Sequence, residues 1–226
     1  MGNPRHYSVE VPQRCLQLID ELWSHAEGTQ QPNRPDLGPL TTTFLISMSM
    51  PIINLPVERI ERHRLAQKEG YADDCHIDAA LTAAIDTILG GQELRKVPFY
   101  SQDAWSFASC SNETPFNIAR SLPDDVAREL CTKEAFARAS KMPTSQWCGV
   151  IRNAMAHGGI AYLDENGRTS YGRPVKMYAF ISGTYTKTRK ELATLNVLRI
   201  SEVNYRTFLR KWVEWLEGSG LNELAA

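Results

Sequence analysis

The side chains best suited to chemistry lie together at Arg152, Asn153 and His157, in the stretch S-Q-W-C-G-V-I-R-N-A-M-A-H (145–157). Histidine has an unperturbed pKa of about 6.5, which suits proton transfer near neutrality. Arginine is a permanent cation whose planar fork matches phosphate oxygens. Together they meet the needs of RNA cleavage by its own 2′-hydroxyl. A base removes the hydroxyl proton, a cation steadies charge on the phosphorane, and an acid protonates the leaving 5′-oxygen. This scheme calls for no metal and no cofactor. The chain has no P-loop, no G-x-G-x-x-G after a strand, no H-E-x-x-H and no G-x-S-x-G. Carboxylates are few around 145–157, which speaks against a divalent-metal nuclease.

These residues must be positioned by a helix. At about 100° per residue, Trp147, Cys148, Val150, Ile151, Ala154 and Met155 share one broad arc. Cys148 is therefore expected to be a buried, inert thiol. The opposite arc carries Ser145, Gln146, Gly149, Arg152, Asn153, Ala156 and His157, where a solvated face would carry Lys and Glu. Gly149 costs roughly 1 kcal/mol relative to Ala in a helix interior, which suggests a close approach there. Gly158-Gly159 supplies a C-terminal stop. Arg152 and His157 stand about 140° and about 7.5 Å apart, with Asn153 between them and in reach of His157 at i,i+4. One helix thus offers half of an acid–base pair, and a two-fold dimer would supply two histidines and two arginines in one cleft. The same residues also read as a helix-terminal His favoured by the dipole and an Arg in a surface ion pair.

Around this segment the pattern is mostly helical. Apolar spacing predicts helices over 11–26 and 41–50, the latter ended by Pro51, and another from Asn54 and Pro56 to about 68. Arg59, Arg62, His63 and Arg64 on that helix form a basic strip interleaved with Glu58 and Glu61. A further helix starts at Asp73 or Asp74 and ends at Gly90-Gly91. Cys75 and His76 lie beside Asp73, Asp74 and Asp78, but the spacing matches no standard zinc set. Residues 92–113 read as irregular. Pro115 opens a short helix, and Ser121, Pro123 and Asp124 open a longer one to about Ser140. Residues 160–163, 175–182 and 194–200 read as short strands, with a turn at 164–167. Ser201 caps a last helix striped by Tyr205, Leu209, Trp212 and Leu216.

The chain of 226 residues can bury a core, with 42% hydrophobic and 23% charged residues. Five scattered cysteines and no C-x-x-C pair point to free thiols in a reducing compartment. No signal-peptide h-region and no bilayer-length apolar run are present, so a cytoplasmic protein without a membrane segment is expected. A net charge of −1 argues against a coat for nucleic acid. The charge is uneven, with a balance of −6 over residues 1–140 and +5 over 141–226. The basic part contains the Arg-Asn-His segment, which favours a phosphate-bearing partner.

The segment R-N-A-M-A-H-G, with a polar residue directly after the Arg and the His four residues beyond it, resembles the HEPN superfamily of ribonucleases and nucleotide-binding helical domains. T-F-L-I-S-M-S-M-P-I-I-N-L-P-V-E-R-I, the core I-R-N-A-M-A-H-G-G-I and the strands after it look most like a plasmid-borne nuclease group of that superfamily. The resemblance covers most of the chain, and 145–160 most strongly. It implies a mainly α fold: one HEPN-like helical bundle over 1–226, with a helical core at about 8–158. A small antiparallel β-sheet at about 159–200 would be inserted before the C-terminal helix at about 201–217. It implies Arg152 and His157 as catalytic residues at a dimer cleft, with Asn153 assisting. The partners would be RNA, a second copy and an antitoxin or regulatory protein, in a toxin–antitoxin or anti-phage setting. Members paired with a nucleotidyltransferase antitoxin often carry Tyr two residues after the His. Here Gly159 occupies that position, and the nearest tyrosine is Tyr162. Two other readings stand beside the nuclease: a non-catalytic HEPN-like module holding a nucleotide or protein, and an interaction protein docking through the Trp212 and Trp215 helix.

Overall fold

The structure, a computed structural model, describes residues 4, 7–29, 38–65, 89–111, 116–169, 171, 174–186 and 191–218, the side chains of 60–65 excepted. The helix expected from Asp73 to Gly91 lies outside these residues except at its end, as do Cys75, His76 and the side chains of Arg62, His63 and Arg64. The chain divides into two compact units, Met1–Gln92 with Thr207–Ala226, and Glu93–Arg206.

In the first unit, α1 (Tyr7–Gly28) packs along α2 (Thr41–Leu65). Helix α2 runs unbroken through Pro51 and Pro56, where the sequence predicted two helices parted at Pro51. A proline in a helix leaves the carbonyl four residues earlier without its donor. For Pro56 that carbonyl belongs to Ile52, and the buried Trp212 indole Nε1–H donates to it at 2.9 Å. Trp212 lies on the last helix, Glu202–Leu216, and is fully buried beside Phe208 and Trp215. The Arg210 guanidinium also reaches Asp20 of α1 at 2.6 Å. Arg59 of the expected basic strip lies over the Tyr7 ring, 4.9 Å from its centroid.

The second unit is built on a four-stranded antiparallel sheet in the order β1-β4-β3-β2, formed by β1 (Trp105–Ser111), β2 (Ile160–Leu163), β3 (Met177–Tyr185) and β4 (Leu192–Ser201). This corrects the expectation of a mainly α bundle with a small sheet inserted before the last helix. The architecture is mixed α/β, with the sheet in the middle of the unit. The overturning element is β1, in a stretch expected to be irregular. It pairs with β4 over its whole length, from Trp105 opposite Ile200 to Ser111 opposite Thr194. Between β1 and β2 the described residues form three helices, α3 (Asp124–Glu129), α4 (Lys133–Lys141) and α5 (Thr144–His157). The single helix expected from 121 to 140 is thus two, because Thr132 turns extended and its hydroxyl accepts from the Ala135 N–H as an N-cap.

Alternation along the strands assigns the two faces of the sheet. One face carries Ala108, Ala161, Leu163, Ala179, Ile181 and Val197, and buries them against Val126, Ala127 and Leu130 of α3 and its end. The other carries Trp105, Tyr178 and Phe180. On it, Trp147 of α5 meets Trp105 edge-on at 5.5 Å between centroids and stacks on Phe99 at 5.6 Å. Tyr205 of the last helix, α6 (Glu202–Leu216), closes the same cluster against Tyr178 and Phe180. On α4, Arg138 donates to the Phe107 carbonyl and blunts the outer edge of β1.

Replacing Trp212 with Phe keeps the aromatic volume but strips the Ile52 carbonyl of its donor. A loss of about 1–3 kcal/mol is expected, read as a lower midpoint in urea unfolding with an unchanged slope.

Candidate functional site

Helix α5 carries the proposed chemistry, and its amphipathic character is as the wheel gave it. Trp147, Cys148, Val150, Ile151, Ala154 and Met155 are buried, and Ala154 has no exposure at all. Gln146, Ala156 and His157 are exposed, while Ser145, Gly149, Arg152 and Asn153 are half-buried. The buried arc packs on β3 and β4, so the backbone of the polar arc is held on a sheet. Cys148 is 2% exposed and out of reach as a nucleophile. The described cysteines Cys15, Cys110, Cys131 and Cys148 are free thiols.

The C-terminal stop is fixed at two positions. Gly158 takes the left-handed conformation with φ 70°, and its N–H caps the Ala154 carbonyl. The Gly159 N–H donates to the same carbonyl at 2.7 Å, while its own carbonyl accepts from the Ile181 N–H at 2.7 Å. A Cβ at Gly159 would run into the Ile181 carbonyl oxygen and press on the Ala154 Cα. The chain therefore passes without a spacer from α5 into the sheet edge. That also explains why this position carries no tyrosine: no side chain fits there. The nearest tyrosine, Tyr162, points from β2 against Tyr178, and burial pushes its phenol pKa up.

Arg152 and Asn153 are joined: the guanidinium Nε–H donates to the Asn153 Oδ1 at 3.3 Å. Asn153, in reach of His157 one turn on, is engaged by its neighbour, which fixes the lie of the arginine fork. His157 closes the helix as an exposed imidazole with no hydrogen-bond or ion-pair partner among the described residues. Gly149 does not fulfil its expectation within the chain, because a Cβ there would meet nothing within 4 Å. The polar arc of α5 is thus open at Gly149 and Ala156.

Two grooves of the second unit lie elsewhere. One of about 490 Å³ runs along Phe107, Arg138, Met142 and Gln146. The other, of about 410 Å³, joins α3 to the turn after β2. Neither is lined by Arg152, Asn153 or His157. Sequence reasoning missed both, since their residues come from segments far apart in the chain. Among the described residues no three His, Cys, Asp or Glu side chains converge as a metal site would require, and no helix is long and apolar enough to cross a membrane. No family model, curated protein or solved structure matches the chain.

Two substitutions test the geometry of this helix. Gly149→Ala is expected to raise stability by up to about 1 kcal/mol, because the added methyl gains helix propensity without a clash. Gly159→Ala is expected to lower it by about 1–3 kcal/mol, because the strand backbone must shift. Urea unfolding of both variants against the parent gives the signs.

Proposed function

We propose that the chain is a metal-independent endoribonuclease that works as a symmetric dimer, using Arg152 and His157 in the manner of the HEPN ribonucleases that its motif resembles. The observation that supports this most is the polar arc of α5, where an arginine steered by Asn153 and an exposed, unengaged imidazole share one rigid helix face. Support comes from this helix and its motif, and not from a helical bundle.

In the proposed reaction, His157 of one copy takes the 2′-hydroxyl proton. The freed oxygen attacks the adjacent phosphorus. The 5′-oxygen leaves and takes its proton from His157 of the second copy. The products are a 2′,3′-cyclic phosphate and a 5′-hydroxyl. Arg152 holds the non-bridging oxygens, where negative charge grows in the transition state. Asn153 acts as a positioning residue through its bond to the Arg152 Nε–H. Two copies are needed because Arg152 and His157 stand about 140° apart on one helix, and because one imidazole cannot be acid and base in the same step. The open positions Gly149 and Ala156 leave room for a second helix. A role as a toxin or anti-phage effector, held in check by an antitoxin or regulatory protein, accompanies the resemblance.

Single-stranded RNA is the test substrate. Arg152→Ala and His157→Ala are each expected to lower the cleavage rate by about 10²–10⁴-fold, and Asn153→Ala by about tenfold. A 2′-deoxy substitution at the scissile site should block cleavage, a chelator should not, and cyclic-phosphate ends should appear. If both variants cut RNA like the parent, the assignment fails. Binding of RNA or nucleotide without turnover, indifferent to the 2′-deoxy change, would make the chain a binding module instead.

A further inference from the structure

The groove of about 410 Å³ in the second unit is lined by Asp124, Ala127, Arg128, Cys131, Asn166 and Arg168. Its residues come from α3, from the end of that helix and from the turn after β2. Most of their polar groups have no partner among the described residues. Arg128 uses only its Nε–H, donated to the Asp124 carbonyl at 3.2 Å, and its two terminal nitrogens have no partner among the described residues. Arg168 has one loose contact, with Nε 3.8 Å from the Asp124 Oδ1 and both side chains exposed. The Asn166 side-chain amide has no partner among the described residues either, since it is its backbone N–H that bonds to Asp164.

A third guanidinium lies behind the wall. Arg199 on β4 is only 6% exposed. It donates to the Leu130 carbonyl at 2.7 Å and sits 3.3 Å from the Cys131 Sγ. The turn closes over it at Gly167, where φ is +72° and a Cβ would approach the Arg199 Nη1 at 2.7 Å. No carboxylate lies within ion-pair distance of Arg199 among the described residues. A buried charge normally carries a counter-charge. Here a thiol and a carbonyl are its direct partners. Among the described lining residues two guanidinium groups, Arg128 and Arg168, thus stand with one carboxylate, Asp124, and Arg199 lies behind them.

We propose that this groove binds the phosphate group of a small phosphate ester. Planar guanidinium forks match phosphate oxygens two at a time, and Asn166 adds a neutral donor. Loss of the weak Arg168–Asp124 pair costs little, since exposed ion pairs contribute little. The volume lies in the range of small-molecule sites. Among the described residues no aromatic side chain lines the groove, so the phosphate and not a stacked base carries recognition. The site is independent of Arg152 and His157.

Calorimetric titration of the full chain with inorganic phosphate, and separately with a 5′-nucleoside monophosphate, tests the proposal. At least one should bind saturably. Arg128→Ala and Arg168→Ala should each weaken binding about tenfold or more, and Asp124→Asn should strengthen it several-fold by removing the competing carboxylate. All three residues are exposed, and circular dichroism confirms that the variants stay folded. Equal affinity for the two probes identifies phosphate itself as the ligand, and tighter binding of the monophosphate identifies the ester; both support the site. No saturable binding of either probe, binding indifferent to both arginine substitutions, or preference for an RNA lacking terminal phosphates would overturn it.

Discussion

The second unit turns on the backbone junction between α5 and β2. The Ala154 carbonyl receives both the Gly158 and the Gly159 N–H, and the Gly159 carbonyl is tied at once to Ile181 of β3. Helix end and sheet edge are therefore one hydrogen-bonded piece. A side chain at Gly159 would collide with the strand backbone. A longer connection would let α5 slide over the sheet and move Trp147 off Trp105 and Phe99. With none, the buried arc has one register on β3 and β4, and the polar arc has one direction. His157 is exposed because the helix is forced to stop right after it.

How far each part was legible follows from where its determinants lie. The arc of α5 is a local pattern of period 3.6, and its buried and open positions were readable from fourteen consecutive residues. The strands at 160–163, 177–185 and 192–201 follow short apolar runs with a strong turn at 164–167, and were close to their places. Strand β1 was not readable. Its sequence W-S-F-A-S-C-S is rich in Ser and poor in branched residues, so local propensity is weak. It is a strand because β4, some ninety residues later, supplies the ladder. In α2 the helices expected to part at Pro51 are one, and the Ile52 carbonyl that Pro56 leaves without a donor is satisfied by Trp212, far along the chain. The proposed site residues were legible because they are consecutive turns of one helix. The pairing of Arg152 with Asn153 was not, since it depends on side-chain rotamers that spacing alone leaves open.

Charge shows the same division. The excess of basic residues after position 140 was visible in the sequence and pointed to the α5 segment. Two of those cations, Arg168 and Arg199, are instead gathered around the α3 groove with Arg128 from the acidic part of the chain. A one-dimensional charge count gives the sign of a field but not its focus. The focus is set by the sheet, because the side chain of Arg199 shares its face with Val197 and Ala179 and so reaches toward α3.

The proposed chemistry rests on one helix and not on the fold, and the physics of α5 shows why it can. A catalytic helix needs a buried arc, a platform and a fixed end; a sheet supplies these as well as a bundle does. What the platform cannot supply is a second imidazole, so the remaining constraint is symmetry. Taking Gly149 as the origin of the wheel, Asn153 and Ala156 fall within about 40° of it. Arg152 lies about 60° to one side and His157 about 80° to the other. If two such stripes face each other about a two-fold axis along the helices, each edge joins Arg152 of one copy to the partner's His157. If the axis is perpendicular to the helices and lies between them, like meets like: two imidazoles share one edge and two guanidinium groups the other. The proposed reaction needs both imidazoles near one phosphate, which favours the perpendicular axis or a strongly crossed pair. In that arrangement Asn153 sits in the seam, where its bond to the Arg152 Nε–H restrains the one long side chain that must reach across to the shared phosphate.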